Sequence, residues 1–268
     1  MTTLILLAHQ DDELGIMSEI EAALARGDRV VCAYLTSGAF AGVSAERRNG
    51  ESRAALSALG VPLGDIRFVG GEAGIGDGQL VERLDAALAA VIRLADEIGD
   101  IDRIFLHAWE GGHQDHDAVH LVGLALARAR GILAETRQFP LYRSPGVDGQ
   151  IAFKAPLAAN GPVERHRIPV LARLRYLLAL RHYPSQLRVM AQLAPRFVWD
   201  FIVDGCQKLQ PVSEGRVSER PNEGTMLYEQ WGLYTYERFR QAAMRFVEAR
   251  LPATSEAPSR LSARSANR

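Results

Sequence analysis

Thr3-Leu4-Ile5-Leu6-Leu7-Ala8-His9-Gln10-Asp11-Asp12-Glu13 opens the chain and decides how the rest is read. Residues 3–7 form a continuous apolar run, the pattern of a strand covered on both faces in a parallel sheet. The run stops at a histidine and a group of acids. Ile16, Ile20 and Leu24 then recur at helical spacing, and Gly27 supplies a stop. The same strand–turn–helix rhythm returns along the chain. Strands are expected at 30–35, 66–69 and 103–106, and helices at 45–59, 80–95 and 115–129. Strand and helix alternate four times within residues 1–130, which predicts an α/β fold with a mostly parallel sheet and helices on both faces.

Past Gly131 the rhythm weakens. Strands are expected at 135–142 and 151–154, and a basic, Leu-rich helix at 168–180. Further candidate elements lie at 186–193, 197–203 and 234–250. Residues 210–224, with Pro211, Gly215, Pro221 and Gly224, read as a loop. This part is expected to be an α+β extension that shapes a substrate site. Residues 1–250 are thus expected to form a single domain, with 1–130 as its core and 131–250 as the substrate-shaping part. Residues 251–268 hold mainly Pro, Ser, Ala and Arg and read as a disordered tail.

Composition narrows the function classes. The chain has 268 residues, 47% of them hydrophobic, and a formal net charge of −1. That balance gives no electrostatic reason to expect a nucleic-acid partner. Two cysteines, Cys32 and Cys206, are too few for a disulfide framework. No stretch approaches the roughly 20 apolar residues of an integral membrane segment, and no secretory signal pattern precedes the first strand. A cytoplasmic location is expected.

The first strand ends in His9 and the acids after it, and the fourth strand is followed by Gly111-Gly112-His113-Gln114-Asp115-His116. In open α/β sheets, ligands bind at the carboxyl ends of the strands. Imidazole and carboxylate donors from two such loops suit Zn²⁺ or another first-row divalent ion, with positions left for water and substrate. Alone, Asp11 and Asp12 would read as helix-capping residues. The pairing of His with Asp at the same sheet edge in both clusters is what points to a metal-dependent hydrolase. His107, His120, His166 and His182 stand outside the clusters and are read as structural. The glycines of residues 70–78 lack the order and position of a dinucleotide fingerprint and read as a wall of the substrate cleft.

His9-Gln10-Asp11-Asp12-Glu13 and His113-Gln114-Asp115-His116 resemble the paired motifs of the LmbE/PIG-L family of zinc-dependent N-deacetylases, His-Pro-Asp-Asp-Glu and His-Pro-Asp-His. Arg48-Asn49-Gly50-Glu51, followed by Leu59-Gly60-Val61, resembles the family's Arg-x-x-Glu helix. The resemblance covers residues 1 to about 129. It implies a Rossmann-like fold and hydrolysis of an acetamide, often on an N-acetylglucosamine unit joined to a lipid, a cyclitol or an antibiotic aglycone. It implies His9, Asp12 and His116 as metal ligands, with Zn²⁺ as the ion and Fe²⁺ or another divalent metal as the alternative. Asp11 would be the general base, His113 the acid and oxyanion stabiliser, and Asp115 the group orienting His113 and keeping it cationic. Arg48 and Asp77 would hold the substrate.

The chain departs from the family pattern in two places. Gln10 and Gln114 replace prolines, which stiffen a turn but bind nothing. Gly111 stands where the sugar–inositol deacetylases carry a tyrosine, so any tyrosine oxyanion donor must come from elsewhere. The expected partner is a small-molecule amino-sugar conjugate, with homo-oligomerisation left open. The alternatives are an amidase cleaving a larger acyl group or a thiol conjugate, and a metal-free Rossmann-like binding protein.

Overall fold

Strand β1 (Thr2–Leu7) shows why the apolar run has no alternation in it. Leu4 and Leu6 pack into one hydrophobic cluster, Ile5 and Leu7 into another, on opposite faces of the sheet. The structure, a computed structural model, describes residues 1–252, with the backbone alone at 188–190 and 192.

After β1 come α1 (Met17–Ala25), β2 (Arg29–Tyr34), α2 (Ala45–Leu59), β3 (Ile66–Arg67), a single helical turn α3 (Val69–Glu72), α4 (Leu84–Ile98), β4 (Arg103–His107), α5 (Gln114–Arg130) and β5 (Thr136–Phe139). These five strands are parallel, in the order β3-β2-β1-β4-β5. α1 and α2 cover one face through Ile16, Ile20 and Leu56, and α4 and α5 cover the other through Val91, Leu94 and Leu121. The order reverses between β1 and β4, so the loops leaving these two strands diverge at a crevice on the carboxyl edge. Both sequence clusters sit there.

The remainder is more closely joined to the sheet than its sequence suggests. The strand expected over 135–142 is divided, with β5 in the main sheet and β6 (Tyr142–Arg143) paired with β7 (Ala152–Phe153). β8 (Glu164–Arg167) and β9 (Cys206–Pro211) extend the main sheet antiparallel beyond β5, making seven strands. Between them run α6 (Val170–Ala179), α7 (Leu187–Val198) and a wider π-helical turn, Trp199–Asp204, ended by Gly205 at φ 58°. α8 (Leu227–Gln230) and α9 (Tyr236–Arg250) close the chain. Phe239 and Phe246 of α9 enter the same hydrophobic cluster as Leu4 and Leu6. Leu251 also packs there, so order extends past the expected start of the tail; residues 253–268 lie outside the described residues. Cys32 and Cys206 are both free thiols.

Candidate metal centre and active site

The loop after β1 turns back on itself. The Asp12 carboxylate accepts the backbone N–H groups of Ala8 (3.1 Å) and His9 (2.7 Å), which fixes one oxygen beneath the loop. Asp11 is held at φ 125°, a conformation rare outside glycine, and its N–H donates to Glu13 Oε2 at 2.9 Å. Glu13 is fully buried and receives the Tyr183 hydroxyl at 2.9 Å. Strain in Asp11 is thus maintained by a buried carboxylate tied to the C-terminal part.

The loop after β4 is held differently. Asp117 Oδ1 accepts the N–H groups of Glu110 (3.1 Å) and Gly111 (3.2 Å). Gly111 adopts φ 71°, and a Cβ on Gly112 would lie 1.9 Å from the Tyr142 carbonyl oxygen. Only glycine allows so close an approach. His113 caps α5, its Nδ1 accepting the Asp115 N–H at 3.2 Å, which leaves the proton on Nε2 in the neutral ring.

These two loops bring His9, Asp12, His113 and His116 together. His116 Nε2 lies 3.2 Å from Asp12 Oδ1, and His9 Nδ1 lies 3.7 Å from Asp12 Oδ2. Single donor atoms of His9, His113 and His116 all fall within 4.8 Å of one another. Neither His116 ring nitrogen makes a well-directed hydrogen bond, although both are buried. Two tetrahedral ligands about 2.1 Å from an ion stand about 3.4 Å apart, so the separations from Asp12 to the two imidazoles suit a shared cation.

The charges fit a cation as well. Asp11, Asp12, Asp77 and Asp115 crowd the site, opposed by the single guanidinium of Arg48. Burial would depress the His9 pKa, but Asp77 and Asp115 overcome it and push it up to about 10. Burial raises the Asp11 carboxyl to about 7, with Arg48 opposing the rise. Burial alone would raise Asp12, but His116 and His107 hold it well below the usual carboxylate range. Burial takes His116 down to about 4.

Arg48 and Asp77, far apart in sequence, meet at 3.4 Å. Arg48 also bonds the carbonyls of Gly38 and Gln10 and lies 3.3 Å from Asp11 Oδ2. Its reach over the first motif comes from α2, whose N-terminus is capped by Ser44.

Two features differ from the sequence reading. The Asp115 carboxylate does not orient His113. It lies 3.1 Å from His9 Nε2 and accepts the N–H groups of Gly78 (2.6 Å) and Leu80 (3.1 Å), because the first turn of α5 directs it toward the glycine-rich loop. His113 is also not kept cationic; burial and the neighbouring His9 and His116 lower its pKa well below the ordinary value. The second difference is His107. It ends β4 with Nε2 3.1 Å from Asp12 Oδ2, its ring stacked on His116 at 4.1 Å. No acid or second histidine stands beside it in sequence to mark it out.

A cavity of about 540 Å³ opens over this cluster. Asp11, Asp77 and His113 line its floor, and Phe153, Leu193 and Phe197 give it an apolar wall. Tyr142 lies beside His116 with ring centroids 5.1 Å apart, and Trp231 lies beyond it at 5.7 Å.

Residues 4–127 match the family model described as PIG-L: GlcNAc-PI de-N-acetylase. Among solved structures, the A40926 pseudoaglycone deacetylase aligns with 79% of this chain and 96% of its own, at 20% identity and a TM-score of 0.57. A deacetylase–teicoplanin complex from teicoplanin biosynthesis aligns with 79% of this chain and 98% of its own, at 14% identity and a TM-score of 0.58. The N,N'-diacetylchitobiose deacetylase from Pyrococcus horikoshii aligns with 78% and 84%, at 17% identity and a TM-score of 0.51. At these identities the likeness is one of fold. No curated protein matches the chain in sequence. Both motifs thus lie at one crevice, within the stretch from β1 into α5 that is similar to the PIG-L (LmbE-like) deacetylase domain.

Proposed function

We propose that this protein is a metal-dependent hydrolase that removes the N-acetyl group from an amino-sugar conjugate of the N-acetylglucosamine type. The observation that carries the reading is the placement of the Asp12 carboxylate between two imidazoles, 3.7 Å from His9 Nδ1 and 3.2 Å from His116 Nε2, beneath a cavity lined by Asp11 and His113. Zn²⁺, with Fe²⁺ as the alternative, would be held by His9, Asp12 and His116 and would supply Lewis-acid activation of water and of the acetyl carbonyl. Asp115 accepts from His9 Nε2 and so directs Nδ1 inward, a support typical of ligating histidines.

Asp11 takes the proton from the attacking water, and Arg48 steadies its carboxylate. His113, neutral with its proton on Nε2, donates a hydrogen bond to the oxygen that gains charge. Asp11 then passes its proton to the departing nitrogen as the C–N bond breaks, releasing acetic acid and the free amine; the remaining hydroxyl proton then moves from acid to amine, giving acetate and ammonium. Arg48 and Asp77 hold polar groups of the substrate at the cavity floor. The apolar wall of Phe153, Leu193 and Phe197 favours a conjugate with an apolar portion, and it also accommodates an acyl group larger than acetyl.

The proposal includes a single domain over residues 1–250, supported by the shared cluster of Leu4, Leu6, Phe239 and Phe246, and a cytoplasmic location, supported by two free thiols. Acetate release from a panel of N-acetylglucosaminyl conjugates, measured with and without added Zn²⁺, tests it. Metal-dependent release is expected. A protein that binds no divalent ion, or that hydrolyses no acetamide when loaded, would overturn it.

A further inference from the structure

α6 follows β8 and Pro169, and its sequence, Val170-Leu171-Ala172-Arg173-Leu174-Arg175-Tyr176-Leu177-Leu178-Ala179, carries apolar residues on two sides. Ala172 and Tyr176 turn inward against Phe197 and Phe201. Val170, Leu171, Leu174 and Leu178 turn outward at spacings of three and four, and Leu171 is 72% exposed. The adjoining π-helical turn repeats the arrangement. Phe201 is buried, while Trp199 is 65% exposed and Ile202 and Val203 also face out. The two segments are joined: Arg173 donates to the Ile202 carbonyl at 3.4 Å, and Tyr176 packs on Phe201. An exposed apolar surface of this extent marks an interaction site.

The charge around it identifies the partner. Residues 165–204 contain seven arginines and two aspartates, in a chain of net charge −1. Asp200 pairs with Lys154 at 2.8 Å, Asp204 pairs with Lys208 at 2.7 Å and with Arg165 at 3.3 Å, and Arg175 pairs with Glu21 of α1. Arg167 and Arg181 flank α6 at its two ends, exposed and without an acidic partner among the described residues. Apolar side chains bordered by arginines match the boundary between acyl chains and anionic headgroups. Among the described residues, no helix is long and apolar enough to cross a membrane, so the element would lie on the bilayer and not span it.

We infer that α6 and the Trp199–Asp204 turn dock this protein on the surface of an anionic phospholipid bilayer. The surface adjoins the cavity through α7, whose Leu193 and Phe197 line the cavity and whose Val198 is exposed beside Trp199. The cavity mouth carries exposed apolar residues of its own in Phe40, Trp231 and Leu233. The inference goes beyond the hydrolase reading and does not depend on it.

The test is flotation of the full chain with vesicles of phosphatidylcholine alone and of phosphatidylcholine with phosphatidylglycerol. The protein should float with the anionic vesicles and be released by high salt, since exposed charge attraction is screened. Combined Leu171→Asp, Leu174→Asp and Leu178→Asp should reduce vesicle binding by at least about tenfold, as should Arg167→Glu with Arg181→Glu. Circular dichroism checks that each variant folds. In the unaltered protein, lipids brominated near the headgroup boundary should quench part of the tryptophan fluorescence, and Trp199→Phe should remove that quenching. Absence of binding to anionic vesicles, or equal binding to both compositions, would overturn the inference. So would light scattering that shows a dimer in the unaltered protein and a monomer in the leucine variant, because a second copy would then be the occupant.

Discussion

Burial lifts the Asp11 carboxyl to about 7, and Arg48, 3.3 Å away, opposes that rise. A general base must be ionised to act, so the rate should climb as pH increases through the Asp11 titration, giving an acidic limb that belongs to this carboxyl. Asp11→Asn should retain the metal, lower kcat by roughly 10²–10⁴ and lose that limb. Metal analysis beside a pH–rate profile checks it, and loss of metal would show that Asp11 is itself a ligand. His107 calls for a different expectation. It touches Asp12 from below and does not line the cavity. His107→Ala should therefore weaken divalent-ion affinity by about 10–100-fold through loss of Asp12 orientation, measured by competition with a chelating dye. The candidate cluster was legible in sequence because His and Asp recur together at two strand ends. His107 was not, because a histidine closing an apolar run with no acid beside it looks like any buried strand residue. Nor could sequence show which ring Asp115 would meet; that depends on where the first turn of α5 points.

Glu110 shows how one element supports another. It leaves the end of β4, and its Oε1 accepts the N–H groups of Leu141 (2.7 Å) and Tyr142 (3.1 Å). Burial pushes its pKa up to about 8. The folded protein therefore holds this proton where the unfolded chain, with a value of about 4.3, has released it. The stabilising contribution is complete below about pH 4.3 and is lost as pH rises toward about 8. Glu110→Gln cannot ionise, so its stability relative to the unaltered protein should improve steadily between those limits, by an amount on the order of a few kcal/mol. Urea titrations at several pH values test this, and a difference independent of pH would rule out a protonated Glu110. On the same loop, Gly112→Ala places a Cβ against the Tyr142 carbonyl and should cost about 1–3 kcal/mol. At this scale β1, β2 and β4 were legible because their runs are mostly apolar. β8 and β9 were not. β8 reads Glu-Arg-His-Arg because it is an exposed edge, where charge protects against unwanted pairing. β9 buries Gln207 and Gln210, and Gln210 donates to the carbonyls of Leu157 and Gly161, so hydrogen bonds stand where an apolar alternation would have revealed a strand.

The family match ends at residue 127, yet the hydrophobic cluster that contains Leu4 and Leu6 draws residues from as far as Leu251. β5 covers the edge of β4, and β9 covers β5 in turn. Trp109, just after β4, is held by the C-terminal part: its indole N–H donates to the Glu219 carbonyl, and its own carbonyl accepts from Asn160. Val217, Phe239 and Phe246 fill the same cluster as Leu4, Leu6 and Leu106. The site depends on these contacts too, since Tyr183 holds Glu13 and Tyr142 stands over His116. Residues 1–130 alone would expose the β4 edge and remove one side of a shared core, a loss comparable to the whole net stability of a domain, about 5–15 kcal/mol. A chain ending at residue 130 should therefore fail to form fixed tertiary structure, while residues 1–252 should unfold in one cooperative transition. Near-ultraviolet circular dichroism of the fragment and calorimetry of the longer chain provide the measurements. A fragment with native-like near-ultraviolet signal, or two separate transitions in the longer chain, would mean that the motif-bearing half is an independent domain and that the C-terminal part is only attached to it.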